Sequence, residues 1–261
     1  MINMMLANYH THTVRCHHAV GTEKEYIEAA IKNGFKTLGF SDHTPQPYPD
    51  GFKSGIRMDM DEIPNYTETL VKLREEYKDQ IEILIGYEIE YFPRYFDKLM
   101  KELRKYPLDY IIQGQHHVPD EVEGFYVGSR TDSVERLKAY VDLTIEGMKT
   151  GLYTYLAHPD LINFAGDDDV YRKHMSRICE AAVDLDIPLE INVYGFIDGR
   201  WYPSERFWRL AKEYNPKFVI GCDAHNPNVL KQPGGHPGLE DFLKRNGIDT
   251  GDNIVKIIDC K

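Results

Sequence analysis

The sequence lacks the features that mark a membrane or exported protein. It has no apolar run near the roughly 18 residues that a membrane-spanning helix needs, and its start lacks the charged lead of a signal peptide. Its four cysteines are scattered and form no Cys-x-x-Cys pair, which disfavours a disulfide framework or a zinc ribbon. We therefore expect a cytoplasmic protein with no membrane partner.

Positive charge is also scarce. The 261 residues include 31 Lys and Arg against 42 Asp and Glu, so the formal net charge is -11. This balance argues against nucleic acid as the main partner. A small anionic substrate stays compatible with it, because bound dications would reverse the local potential. With 42% hydrophobic residues, the composition is typical of a globular protein, which we interpret as a single domain over residues 1–261. The sequence does not predict the oligomeric state.

What the sequence does contain is a regular alternation of short apolar segments and amphipathic ones. The apolar segments are rich in β-branched, aromatic and aliphatic residues and predict buried strands at Met4–Tyr9, Thr37–Phe40, Ile81–Gly86, Tyr110–Gln113, Tyr153–Ala157, Leu189–Val193 and Phe218–Gly221. The amphipathic segments predict helices at Tyr26–Asn33, Asp61–Tyr77, Phe96–Lys105, Ser133–Lys149, Val170–Leu185 and Ser204–Glu213.

Seven repeats of strand and helix indicate a parallel α/β fold. We favour a closed or distorted barrel over an open sheet, because polar side chains follow nearly every predicted strand. In a barrel the carboxyl ends of all strands meet at one mouth, whereas in an open sheet they spread along an edge. The loops Thr44–Met60 and Pro227–Pro237 are long enough to cover that mouth.

The residues that follow the strands are mainly histidines and carboxylates. Nine of the eleven histidines lie there, all except His174 and His236. The motifs, in chain order, are His10-Thr11-His12, His17-His18, Ser41-Asp42-His43, Glu88-Ile89-Glu90, His116-His117, His158-Pro159-Asp160, Glu190-Ile191-Asn192 and Asp223-Ala224-His225. A single histidine of this kind is more often bonded locally, but the repeated pattern indicates one shared site.

Metal binding is the chemistry that this pattern favours. Alternate residues of a strand point the same way, so His10 and His12 can face one ion. Imidazole and carboxylate ligands suit zinc, iron or manganese. Because there are more candidate ligands than one tetrahedral ion needs, we expect two or three ions, with a carboxylate such as Glu88 bridging them.

The same motifs resemble those of the polymerase and histidinol phosphatase (PHP) family. The resemblance extends from about Tyr9 to about Asn226, and the order and spacing are closest to the histidinol-phosphate phosphatase branch. It implies a distorted (β/α)7 barrel, similar to a TIM barrel, with a trinuclear metal centre at its C-terminal mouth.

Carried over residue by residue, the resemblance implies three divalent ions. Their ligands would be His10, His12, Glu88 and Asp223 for the first, His18, His43 and His225 for the second, and Glu88, His116 and His158 for the third. The family motif selects His18 over His17 because its histidine lies two residues after Cys16. Position relative to the strand selects His116 over His117.

The phosphate-binding residues are less clearly marked. Histidinol-phosphate phosphatases often carry a basic residue after the His-Pro-Asp motif, where this chain has Ile162-Asn163-Phe164. Arg200 lies near a family position for phosphate and is our first candidate, as a catalytic and substrate-binding residue. Arg57 is the second. The leaving group could be protonated by His17, by His117 (also a candidate for substrate binding) or by a metal-bound water. Asp223 is expected to be catalytic as well as a ligand.

These expectations converge on a phosphatase for a small phosphate monoester, with L-histidinol phosphate, a histidine-biosynthesis intermediate, as the first choice. Metal ions would neutralise the charge of the ester and supply a hydroxide at neutral pH. Alternatives within the family are a phosphotyrosine or nucleotide phosphoesterase. An amidohydrolase-type enzyme is disfavoured because Glu88 takes the position of its bridging modified lysine. A non-catalytic metal-binding module is disfavoured by the nearly complete ligand set.

Overall fold

Parallel β-structure forms the centre of the protein. The computed structural model describes residues 6–49, 51–231 and 237–248. Strands β1 (Ala7–Asn8), β2 (Thr37–His43), β3 (Glu82–Ile89) and β4 (Tyr110–Gln113) pair in that order, all parallel. A short antiparallel hairpin follows, made of β5 (His117–Val118) and β6 (Phe125–Tyr126). Strands β7 (Leu189–Asn192) and β8 (Phe218–Gly221) form a second parallel pair.

Single-residue bridges join the two parallel sheets into a closed barrel. Leu156 bridges Gln113 of β4 on one side and Leu189 of β7 on the other, and Thr11 bridges Ala224 between the segments that follow β1 and β8. Seven parallel segments therefore surround one axis, which confirms the predicted distorted (β/α)7 barrel. The strand predicted at Tyr153–Ala157 is present only as this bridged segment, because its ladder to each neighbour is too short to form a continuous strand.

Eight helices are described. Their bounds are α1 Glu23–Lys32, α2 Ile63–Tyr77, α3 Phe96–Leu103, α4 Val134–Met148, α5 Asp168–Asp184, α6 Val193–Ile197, α7 Glu205–Tyr214 and α8 Pro237–Arg245. The six predicted helices are confirmed to within a few residues at each end. The β5–β6 hairpin, α6 and α8 were not predicted. The predicted loop Pro227–Pro237 begins with a 3-10 helix, Pro227–Lys231, and residues 232–236 lie outside the described part. None of these helices is both long and apolar enough to cross a bilayer.

Local signals explain where the helices begin. Thr22 and Glu25 form a complete capping box at the start of α1. At α5, the Asp167 carboxylate accepts hydrogen bonds from the backbone N–H groups of Asp169 and Val170. The acidic run at 167–169 is therefore a helix N-terminus, where negative charge is stabilised.

A tyrosine fills the barrel interior below the mouth. The Tyr110 side chain of β4 lies across Gly39 of β2 and Gly86 of β3, where an added Cβ atom would come within 2.3 Å of its hydroxyl and 2.5 Å of its ring. Its hydroxyl donates a 2.6 Å hydrogen bond to the Tyr9 carbonyl. Glu88 lies two residues beyond Gly86 and therefore faces the same side of the strand, one layer nearer the mouth.

Candidate metal centre

The residues predicted as metal ligands meet at the C-terminal mouth of the barrel. Five overlapping triads of His, Cys, Asp and Glu there have ligand atoms within 4.8 Å of one another, and together they include every predicted ligand. The strands bring them together because each ligand ends or directly follows a barrel segment. The exception is His18, which follows the 3-10 helix Val14–Cys16.

Four of these side chains surround one small space. His12 Nε2 lies 3.1 Å from Asp223 Oδ1 and 3.6 Å from Glu88 Oε2. His10 Nε2 lies 3.5 Å from that Asp223 oxygen and 3.6 Å from that Glu88 oxygen. All four atoms are buried, and within the described residues none of them makes a hydrogen bond.

These distances fit a bound cation. Four ligands held tetrahedrally at about 2.0–2.1 Å from a zinc ion lie about 3.3 Å from one another. Buried polar atoms without hydrogen bonds are costly, so four of them at this spacing need a compensating group. A divalent ion coordinated by the four atoms would provide it. The residues present therefore fit the metal that the sequence predicts.

Glu88 connects this group to the remaining predicted ligands. Its Oε2 atom also lies 3.0 Å from His43 Nδ1, while its Oε1 atom lies 2.8 Å from His158 Nε2 and 3.7 Å from His116 Nε2. The carboxylate thus faces histidines on both sides, as a bridging ligand would. On the outer side, His18 Nε2 lies 3.0 Å from His225 Nε2, and both residues group with His43.

Buried polar residues orient the ligands from behind. His10 Nδ1 lies 2.7 Å from Glu190 Oε1, and the Asn192 amide donates a 3.0 Å hydrogen bond to Asp223 Oδ2. His12 Nδ1 lies 3.3 Å from Asp42 Oδ1. These contacts direct each Nε2 atom, and Asp223 Oδ1, towards the shared space. Glu190 and Asn192 therefore orient the ligands His10 and Asp223.

Close pairs of carboxylates and imidazoles set the electrostatics of the centre. Burial lowers the pKa of His10, but the negative charges of Glu190 and Asp223 prevail and raise it to about 10. Burial raises the pKa of Asp223, yet the charges of His10 and His225 hold it well below its usual range. Protonated imidazoles therefore balance the carboxylates, and a divalent ion would displace those protons.

One potential ligand was missed from the sequence. The Cys16 thiol groups with His12 and His225 within ligand distance. Burial raises its pKa, but the neighbouring His12 and His18 imidazoles outweigh that effect, and the pKa falls to about 2. The ligand set predicted from the sequence contains no thiolate. The available signal was the position of Cys16 two residues before His18 in the motif.

The centre opens into a cavity of about 340 Å³. Its wall consists of His18, His43, Ile56, Glu88, His116, His117, Tyr126, Leu161, Tyr194, Arg200, Tyr202, Asp223 and His225. Arg200 is held at the wall by Asp198, which accepts a 2.7 Å hydrogen bond from its Nε. The guanidinium also lies 4.9 Å from the Tyr194 ring centre and 5.9 Å from that of Tyr202. Arg200, the first candidate for phosphate binding, thus lines the cavity.

Two predicted residues do not reach the cavity. Arg57 is 1% exposed, and its donors are directed to Glu90, Glu121 and the Thr44 carbonyl. Arg57 uses these three N–H groups in the interior and is not among the residues of the cavity wall, so the structure gives no support to the expected contact with phosphate. His17 is exposed at the end of a 3-10 helix, in the left-handed region, and lies outside the cavity wall. His117, the alternative to His17, does line the cavity.

Comparison with known proteins gives consistent results. The family model described as PHP domain matches residues 8–193, a span that includes every predicted ligand except Asp223 and His225. A probable histidinol-phosphatase of Deinococcus radiodurans is 28% identical over 234 residues, covering 86% of this chain and 88% of the relative. One from Schizosaccharomyces pombe is 29% identical over 269 residues, covering 92% and 85%.

A solved structure shares the fold. The crystal structure of histidinol phosphate phosphatase from Lactococcus lactis, complexed with zinc, L-histidinol and phosphate, matches with a TM-score of 0.70. The match covers 95% of each chain at 18% sequence identity. At this level of identity the likeness establishes the barrel.

Proposed function

The chain belongs to the PHP domain family, and from this premise we propose that it is a metal-dependent phosphatase acting on a small phosphate monoester. L-Histidinol phosphate, converted to L-histidinol and phosphate, is the substrate that the relatives' names favour. One observation carries the proposal. Four buried ligand atoms without hydrogen bonds lie at the spacing of a cation's ligands, and two of their residues, Glu88 and Asp223, line a cavity that has an arginine in its wall.

We assign the ligands as the family resemblance implies. Three divalent ions, of zinc, manganese or iron, would be held by His10, His12, Glu88 and Asp223, by His18, His43 and His225, and by Glu88, His116 and His158. When bound, such ions neutralise phosphate charge and lower the pKa of water, so that a nucleophile is available at neutral pH. The zinc in the Lactococcus lactis structure supports zinc among the three metals.

The chain's own residues bind and orient the ester. Arg200 would pair its guanidinium with the non-bridging phosphate oxygens, a geometry in which two parallel hydrogen bonds form. Its contacts with Asp198, Tyr194 and Tyr202 keep it in place before substrate arrives. An arginine that is already positioned loses less conformational entropy on binding.

His117 is our choice over His17 for the general acid. Its Nδ1 atom lies 3.5 Å from Glu90 Oε1, which leaves Nε2 as the atom that can give a proton to the leaving alkoxide. Its ring lies 5.7 Å from that of Tyr126, so the leaving group would enter between a histidine and tyrosines. This wall suits a planar ring such as imidazole.

A phosphotyrosine phosphatase is the second candidate, since Tyr126, Tyr194 and Tyr202 would accept an aryl ring equally well. An amidohydrolase-type site has less support, because no lysine lines the described cavity.

The described cysteines, Cys16, Cys179 and Cys222, are free and buried, which supports the proposed cytoplasmic location.

A phosphate-release screen on metal-replete protein tests the proposal. We expect kcat/KM for L-histidinol phosphate to exceed that for phosphotyrosine or a nucleoside monophosphate by about 100-fold, equivalent to about 3 kcal/mol. Asp223→Asn and Arg200→Ala serve as inactive and impaired controls. Preference for phosphotyrosine would change the proposed substrate but not the proposed reaction. Absence of phosphate release from every ester would contradict the proposed phosphatase activity.

A further inference from the structure

Arg57 joins three separate segments behind the cavity. Its Nη1 donates a 3.2 Å hydrogen bond to the Thr44 carbonyl at the start of the covering loop. Its Nε donates a 2.7 Å hydrogen bond to Glu121 Oε2, in the connection between β5 and β6. Its Nη2 donates to Glu90 Oε1, just past the end of β3. One planar guanidinium thus donates hydrogen bonds in three directions, a geometry that lysine cannot reproduce.

Glu90 connects Arg57 to two histidines of the cavity wall, His116 and His117. Its side chain is 1% exposed. Oε2 accepts hydrogen bonds from the backbone N–H groups of His116, at 3.1 Å, and of His117, at 2.8 Å. Oε1 lies 3.5 Å from the Nδ1 atoms of both rings. Glu90 therefore contacts the backbone and the ring of a metal-ligand candidate and of the proposed general acid.

We propose that Arg57 and Glu90 form a positioning pair that sets the metal affinity of the third position, the one that includes His116, and holds His117 in place. The inference rests on the metal centre proposed above. A carboxylate behind the Nδ1 atom of a ligating histidine fixes the ring and raises its basicity. That carboxylate stays ionised in a buried position only with a paired cation, and Arg57 is the cation that Glu90 contacts.

If Arg57 had only a structural role, substitutions at Arg57, Glu90 and Glu121 would change metal affinity differently. Glu121 also accepts hydrogen bonds from the Tyr48 hydroxyl at 2.9 Å and the Ser54 hydroxyl at 2.7 Å, so it anchors the covering loop without touching a ligand. If Arg57 only fastened that loop, loss of Glu121 would affect the metal centre as much as loss of Glu90. If the pair positions His116, only the loss of Arg57 or Glu90 lowers metal affinity.

Zinc binding to the metal-free full chain separates these cases. Each protein is titrated with zinc against a chromophoric chelator, and folding is checked by circular dichroism. We expect Glu90→Gln and Arg57→Met to weaken the weakest zinc-binding step by about 10–100-fold. Arg57→Lys, which keeps the charge, should recover part of the loss, and Glu121→Gln should bind zinc as the wild type does. Arg94→Met is the matched control, because Arg94 forms an exposed pair with Glu123 of the same β5–β6 connection.

Several outcomes would overturn the positioning pair. Folded Glu90→Gln protein with the zinc isotherm of the wild type would do so, and so would equal losses in Glu121→Gln and Glu90→Gln. If Arg57→Met does not fold, the nearly isosteric Glu90→Gln variant decides, and loss of folding in both would assign the pair a structural role. Wild-type protein that binds no zinc, manganese or iron would instead contradict the metal centre and the proposed function.

Discussion

The floor and the rim of the cavity are held in place by different means. The floor, which we define as the group of His10, His12, Glu88 and Asp223, meets the cavity through Glu88 and Asp223, is no more than 4% exposed and stands on barrel segments. The rim, made of His117, Tyr126, Tyr194, Arg200 and Tyr202, stands on the β5–β6 hairpin, on α6 and on the segment that follows α6. There, exposure reaches 37% at Tyr126.

This difference separates two parts of the chemistry. Rigid strands and buried partners hold the floor atoms at the spacing that metal coordination requires. Connecting segments on a barrel can change in sequence without disturbing that floor, so they are suited to selecting the leaving group. We therefore expect changes in the floor to abolish the reaction, and changes in the rim to alter the efficiency or choice of substrate.

The largest effect should come from Asp223→Asn in the floor. The change removes a negative charge that faces His10 and His12 at 3.5 and 3.1 Å. Loss of metal assistance costs several kcal/mol in the transition state, so kcat should fall by about 1000-fold or more. Phosphate release is measured by a colorimetric assay, and bound metal in the same preparation is measured by inductively coupled plasma mass spectrometry. A variant that keeps its metal and loses less than about tenfold in kcat would break the distinction between floor and rim.

The next effect concerns the pH dependence of the metal-free floor. The pKa of His10 is raised from 6.5 to about 10, since its carboxylate neighbours outweigh burial. A raised pKa means that the charged imidazole contributes stability below pH 6.5, and that this contribution is lost as the pH rises towards 10. Between pH 6.5 and pH 9 the free energy of unfolding of metal-free protein should fall by roughly 3 kcal/mol.

Urea unfolding at the two pH values checks this expectation. Zinc-loaded protein is the control, because a ligating histidine is neutral and has no proton to lose over this range. Metal-free stability that is constant or rises between pH 6.5 and pH 9 would contradict the assigned charge state of the floor.

The floor could be predicted from the sequence and the rim only in part, for a physical reason. A strand points alternate side chains the same way, so a local motif such as His10-x-His12 already contains the geometry of a ligand pair. Arg57 shows the opposite case. Its place in the covering loop suggested a phosphate contact, but Glu90 and Glu121, distant in sequence, draw it into the interior. No local pattern reports such partners.

The barrel itself shows the same limit. Apolar periodicity placed six helices and six strands, because burial on one or both faces leaves a local signature. It did not predict that Tyr153–Ala157 would make only the bridges of Leu156, since the length of a ladder depends on how its neighbours curve. The short helix α6, which carries Tyr194, begins directly at the end of β7, where the Asn192 side chain accepts a hydrogen bond from the Gly195 N–H. The predicted strand Leu189–Val193 includes only the first residue of this helix.

The smallest effect should come from Arg200→Ala in the rim. A hydrogen bond to a charged group contributes about 1.5–3 kcal/mol, so kcat/KM should fall by about 10–100-fold while bound metal stays at the wild-type level. Arg200→Lys should recover part of the loss, because it keeps the charge without the planar fork.

The matched control is Arg206→Ala. Arg206 also stacks on a tyrosine, 3.9 Å from the Tyr171 ring centre, but lies outside the cavity wall. Equal kcat/KM values for Arg200→Ala and Arg206→Ala would remove Arg200 from phosphate binding, whereas loss of metal in Arg200→Ala would show that the rim and the floor depend on each other.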